Sequence, residues 1–103
     1  MPFTTNPDYF WYRDEILMGH RVIDHYFHLA GAQRNWRSII DTDRLTMECP
    51  HCDLLGLLFG SLAEGINRLG VEGVTDKLGF NLLHGSGRNF DRLTHEQRIL
   101  IRR

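Results

Sequence analysis

Cysteine is almost missing from this chain, with two among 103 residues, at positions 49 and 52. Two thiols three positions apart cannot build the cross-linked scaffold of a small disulfide-rich domain. Long apolar runs are missing as well. The longest, Leu54 to Ala63, is half of what a membrane-spanning helix needs, which is about 20 residues. No alternating apolar–polar stretch extends beyond a few residues, so nothing argues for a sheet. No segment recurs at a fixed period, which excludes a repeat array. The opening MPFTTNPDYFWYRDE lacks both a basic n-region and an apolar h-region, so it reads as no signal peptide, and the expected location is the cytoplasm. A phosphate-cradling GxxxxGKS/T loop, a GxGxxG after a strand, a GxSxG elbow and an HExxH helix are also absent. The chain therefore leans away from being an enzyme.

What is present is an ordinary globular composition, 42% hydrophobic and 24% charged. At this length one hydrophobic core is expected and two are not, so residues 1–103 read as a single domain. Its net charge of −1 hides a bias along the chain. Residues 1–76 hold six Lys/Arg against eleven Asp/Glu, whereas residues 77–103 hold six against two. The segment 86–103 is thus a basic end on an acidic body, either neutralised within the fold or offered to an acidic partner.

Apolar spacing predicts an all-α fold, a small bundle of four to five helices. A long first helix is expected over about 7–31. Asn6 and Pro7 suit its start, Tyr9, Tyr12, Ile16, Ile23 and Ala30 form its stripe, Gly19 is a place for a bend or a break, and Gly31 is its stop. Residues 32–40 read as a short helix or an approach to a turn, and 41–52 as a loop. Asp53 then stands as the cap of a central, most buried helix over about 53–69, closed by Gly70. Gly56 and Gly60 on that helix predict that another backbone comes close, with a homodimer seam as the secondary reading. Thr75 is expected to cap a short helix that Gly85 stops. Thr94 and Gln97 match a capping box at the start of a last helix.

The sharpest chemical signal is Cys49-Pro50-His51-Cys52. Two thiolates at this spacing can grip one zinc ion, but a structural tetrahedral site needs four ligands. His25 and His28, three apart on the first helix, are the best remaining pair, so the expectation is a structural zinc on Cys49, Cys52, His25 and His28 that staples the bundle. This predicts that the 49–52 loop folds back onto that helix. His20 and Asp24 share one helix face with His28 as other candidates, and His51 sits inside the cysteine pair. Two plain reduced cysteines, or a redox pair, are the alternatives. Against the redox pair, no strand precedes the cysteines. A zinc deaminase site is excluded, because no His-x-Glu lies upstream and the proline falls inside the pair.

The function expected from these features is a small metal-stapled module that binds another protein, as an adaptor, regulator or accessory subunit. Phe10 and Trp11 fall off the main stripe and are expected as interface anchors. Nucleic-acid binding through Arg88, Arg92, Arg98, Arg102 and Arg103 is the second expectation, and a zinc- or thiol-dependent enzyme the third.

Overall fold

A computed structural model describes residues 10–31, 35–82 and 89–102 of the chain. Four α-helices run in the order α1 (Arg13–Leu29), α2 (Leu54–Phe59), α3 (Leu62–Leu69) and α4 (Phe90–Arg102), with 3-10 turns at Trp36–Ile39 and Thr75–Leu78. No strand occurs among the described residues. None of these helices is long and apolar enough to cross a membrane.

The first helix begins later than its sequence predicts. Asn6 and Pro7 lie outside the described residues, but Phe10, Trp11 and Tyr12 are described and are not helical. The start is set from far away instead. The carboxylate of Glu96 on α4 accepts the backbone N–H of Trp11 at 2.9 Å and of Tyr12 at 2.7 Å. A distant side chain thus pins the two residues that lead into the helix, whereas Tyr12 at the N-cap position supplies no side-chain cap. Gly19 neither bends nor splits α1, which is continuous from Arg13 to Leu29. A Cβ at this position would collide with the Leu78 carbonyl, so glycine serves close packing against the Thr75–Leu78 turn.

The expected central helix over 53–69 is two helices. Asp53 caps the first as predicted, its Oδ1 accepting the Gly56 N–H at 2.6 Å. Gly60 then adopts φ 100°, a left-handed conformation that ends α2. Ser61 starts α3 at once, its hydroxyl accepting the Glu64 N–H at 3.0 Å. The Gly56–Gly60 pair therefore splits in meaning. Gly56 does face a close backbone, since a Cβ there would stand 2.5 Å from the His51 carbonyl carbon, whereas Gly60 has open space around it. The close partner of Gly56 belongs to the same chain, which removes the motive for reading a dimer seam there.

Thr75 heads only a 3-10 turn, ended by Gly79. Its expected stop, Gly85, lies outside the described residues. Thr94 and Gln97 are not a capping box. α4 already starts at Phe90, where Asn89 accepts the Arg92 N–H on its side chain and the Leu93 N–H on its carbonyl.

The core joins Ile16 and Ile23 of α1, Leu45 and Met47 of the loop, Leu54 and Leu55 of α2, Phe80, and Leu93, Leu100 and Ile101 of α4. Three buried polar residues of α4 fix its neighbours in place. Thr94 accepts the Met47 N–H at 2.8 Å, Glu96 holds the start of α1, and Gln97 meets His20 of α1. Glu96 also accepts Arg92 Nε at 2.7 Å, so the buried carboxylate has both charge balance and donors. Glu96→Ala is expected to cost about 3–5 kcal/mol, because it leaves two amides of the α1 start and Arg92 without their acceptor. Glu96→Gln, which keeps one acceptor oxygen, should cost less. Urea unfolding of the three proteins measures both effects, and a loss below about 1 kcal/mol for Glu96→Ala would remove Glu96 as the anchor of the entry to α1.

Candidate functional site

The 49–52 segment forms a tight turn in which the Cys52 N–H donates to the Cys49 carbonyl at 3.1 Å and the Asp53 N–H to the same oxygen at 2.9 Å. It is held on every side. The Thr46 N–H donates to the Cys52 carbonyl at 2.9 Å, and the Leu62 N–H, the first of α3, donates to the Pro50 carbonyl at 2.7 Å. The His51 ring donates from Nδ1 to the Gly60 carbonyl at 3.2 Å. Both cysteines are free and half-buried.

The two thiols influence one another and differ in character. The backbone N–H of His51 and then the Cys52 thiol hold Cys49 below the usual thiol range. That same thiol–thiol bond, with some burial, pushes Cys52 above it. Asp53 beside them is 2% exposed, and burial raises its carboxyl to about 7 despite the bond from Gly56.

The expected zinc site is not assembled. Among the described residues, no group of three or more His, Cys, Asp or Glu stands close enough to hold a metal ion, and Cys49, Cys52, His25 and His28 are all among them. The physical reason lies in the loop's own bonds. Thr94 on the Met47 N–H, and Gly60 and Leu62 on the turn, commit residues 46–52 to α4 and the α2–α3 corner. His28 meanwhile is exposed in the last turn of α1, and His25 lines a groove against α3.

The other α1 candidates are used internally. His20 is 2% exposed, donates from Nε2 to Gln97 Oε1 at 2.5 Å, and meets the Trp36 ring edge-on. Gln97 passes the chain on by donating to the Gly79 carbonyl at 3.3 Å. Burial, outweighing the Gln97 bond, lowers the His20 pKa, so the ring is neutral. Asp24 accepts Trp36 Nε1 at 2.7 Å and Arg37 at 2.9 Å. Burial opposes its ionisation, but these bonds win and hold the carboxyl below the ordinary range.

The expected partner-binding residues separate in the same way. Trp11 is 55% exposed, with Arg92 over its ring, while Phe10 packs on the core. Arg92 bonds Glu96, and Arg98 donates to the Leu45 carbonyl at 2.8 Å with its Nε buried. Arg102 reaches Thr42 at 2.9 Å and Asp43 at 3.2 Å. Arg98 and Arg102 thus turn back onto the acidic body, while Arg92 is paired within α4. Arg88 and Arg103 lie outside the described residues.

One surface feature had no place in the sequence expectations. A groove of about 440 Å³ lies between α1 and α3, with Val22, Tyr26, Leu29 and Leu69 as apolar lining and Arg21, His25 and Arg68 as its polar lining. Leu29 is 72% exposed there. The signal was available, since Met18, Val22, His25 and Leu29 fall at i, i+4, i+7 and i+11, a second helical line beside the main stripe.

Compared with protein-family models, curated proteins and solved structures, the chain matches none.

His20 makes a pH signature. The unfolded chain takes up a proton near pH 6.5, and the folded chain, with a lowered pKa, does not. Folding therefore loses stability as pH falls below that value, by at most about 1.4 kcal/mol per pH unit. His20→Gln keeps a donor for Gln97 and removes the titration. The stability difference between parent and variant should accordingly change between pH 7 and pH 5, in favour of the variant at pH 5. Thermal melts across that range measure it, and a constant difference would mean that His20 is not neutral and buried.

Proposed function

We propose that this chain is a helical protein-binding module that seats an acidic, amphipathic segment of its partner in the α1–α3 groove. The observation that carries this is the groove's make-up, an apolar floor with cationic residues beside it. Leu29 and Val22 supply desolvation energy on binding, and Leu29 gains most because it is the most exposed. Arg21 and Arg68 supply charge, although Arg68 is shared with Glu64 at 2.8 Å and so counts for less than Arg21. Such a surface suits an apolar face flanked by carboxylates, the helix-in-groove mode of recognition. It fits an adaptor or accessory subunit, and it needs no metal staple.

Nucleic-acid binding by α4 has less in its favour. Arg92, Arg98 and Arg102 would have to leave Glu96, Leu45 and Asp43 before they met phosphate.

Titrating the isotope-labelled chain with a synthetic acidic amphipathic helix, and separately with its basic counterpart, tests the proposal by NMR. The acidic peptide should shift Val22, Leu29 and Leu69 together, and more weakly as salt rises. Leu29→Ala should weaken binding about tenfold or more, and Arg21→Glu should abolish the preference for the acidic peptide. Equal binding of both peptides, or shifts confined to another surface, would overturn it.

A further inference from the structure

The Cys49–Cys52 pair takes no part in the groove, and it is built as more than two small buried side chains. A turn closed by a bond from the residue-52 N–H to the residue-49 carbonyl keeps the two Cα atoms within about 7 Å, and a disulfide needs about 4.4–6.8 Å. Each thiol is the other's electrostatic neighbour across the turn, Cys52 lowering Cys49 and Cys49 raising Cys52. Four anchors, at Thr46, Gly60, Leu62 and the Gly56 backbone contact, hold the turn in that form. Both cysteines are partly open to solvent, as exchange with an outside disulfide demands. Among the described residues no third metal ligand accompanies them.

We propose that Cys49 and Cys52 are a reversible dithiol–disulfide pair that exchanges with disulfides of small thiols or proteins, with Cys49 as the attacking sulfur and Cys52 as the resolving one. The Cys49 thiolate attacks one sulfur of the incoming disulfide, forms a mixed disulfide and expels the first thiolate, which takes a proton from solvent. Cys52 then gives up its proton and attacks the Cys49 sulfur. The Cys49–Cys52 bond forms, the mixed disulfide breaks, and the second thiol leaves. Two electrons and two protons pass to the incoming disulfide, which is reduced to two thiols while the pair is oxidised. The closed four-residue turn, with both thiols partly open to solvent, carries the pair, and the His51 N–H and the Cys52 thiol, which both lower Cys49, support Cys49 as the attacking sulfur.

The test uses the whole chain and glutathione disulfide. After equilibration in mixtures of reduced and oxidised glutathione, acid quenching and alkylation, mass spectrometry should show the parent chain passing in one two-electron transition from two alkylated thiols to none, without bound glutathione. Cys52→Ser should accumulate one glutathione on Cys49, and Cys49→Ser should gain it on Cys52 at least about tenfold more slowly. Circular dichroism confirms that each variant is folded, and the parent titration stands whatever the variants do. Stable glutathione adducts on the parent, equal rates in the two variants, or one equivalent of zinc in the purified chain with both thiols protected from alkylation would each overturn the proposal.

Discussion

A carboxylate with no exposed surface is the constraint on which the arrangement of helices depends. Glu96 carries a side chain fully removed from solvent, and a bare buried charge of that kind is prohibitive. It is tolerated because three donors converge on it, the Trp11 and Tyr12 amides and Arg92 Nε. Those donors come from the entry to α1 and from the preceding turn of α4. The requirement that Glu96 be satisfied therefore fixes where the first helix begins and how the last one lies against it. Thr94 and Gln97, on either side, extend the same logic to the Met47 loop and to His20.

This explains which features could be read from sequence and which could not. The all-helical class was legible because the apolar spacing of α1 and α4 is local information, and so were the Asp53 cap and the Gly70 end of α3. The start of α1 was not, since the carboxylate that holds its entry comes from a residue 84 positions away from Tyr12. The Thr94–Gln97 pattern misled for the complementary reason. A capping box and two inward-facing polar residues on a buried helix face share one sequence pattern, and only tertiary contacts tell them apart. The break at Gly60–Ser61 was visible in principle, because Ser61 and Glu64 form a capping pair directly after a glycine. The run of apolar residues on both sides hid it.

The site residues show the same division between local and distant information. Spacing alone placed Cys49 and Cys52 together, because four consecutive residues in a turn cannot avoid one another. Spacing could not bring them to His25 and His28, since that contact depends on where two remote segments dock. The loop is committed elsewhere by its backbone bonds. Charge follows suit. The basic end and acidic body are separate in sequence but meet in space, with Arg102 on Asp43 and Arg98 on the Leu45 carbonyl, while Arg92 is paired within the basic end to Glu96. The positive charge lining the groove comes instead from Arg21 and Arg68, within the half of the chain whose net charge is negative.

α3 connects the two surfaces proposed to act. Its first N–H is bonded to the Pro50 carbonyl inside the cysteine turn, and its last residues, Arg68 and Leu69, line the groove. The helix is eight residues long, so these two ends are about 12 Å apart along a single rigid rod. Gly65 in its middle packs so tightly on Leu55 that a Cβ would stand 2.7 Å away, which leaves little room for the rod to slide along α2. The groove's opposite wall, α1, is held independently by Glu96 and Gln97. One wall is thus tied to α4 and the other to the cysteine turn, although the thiols lie outside the groove.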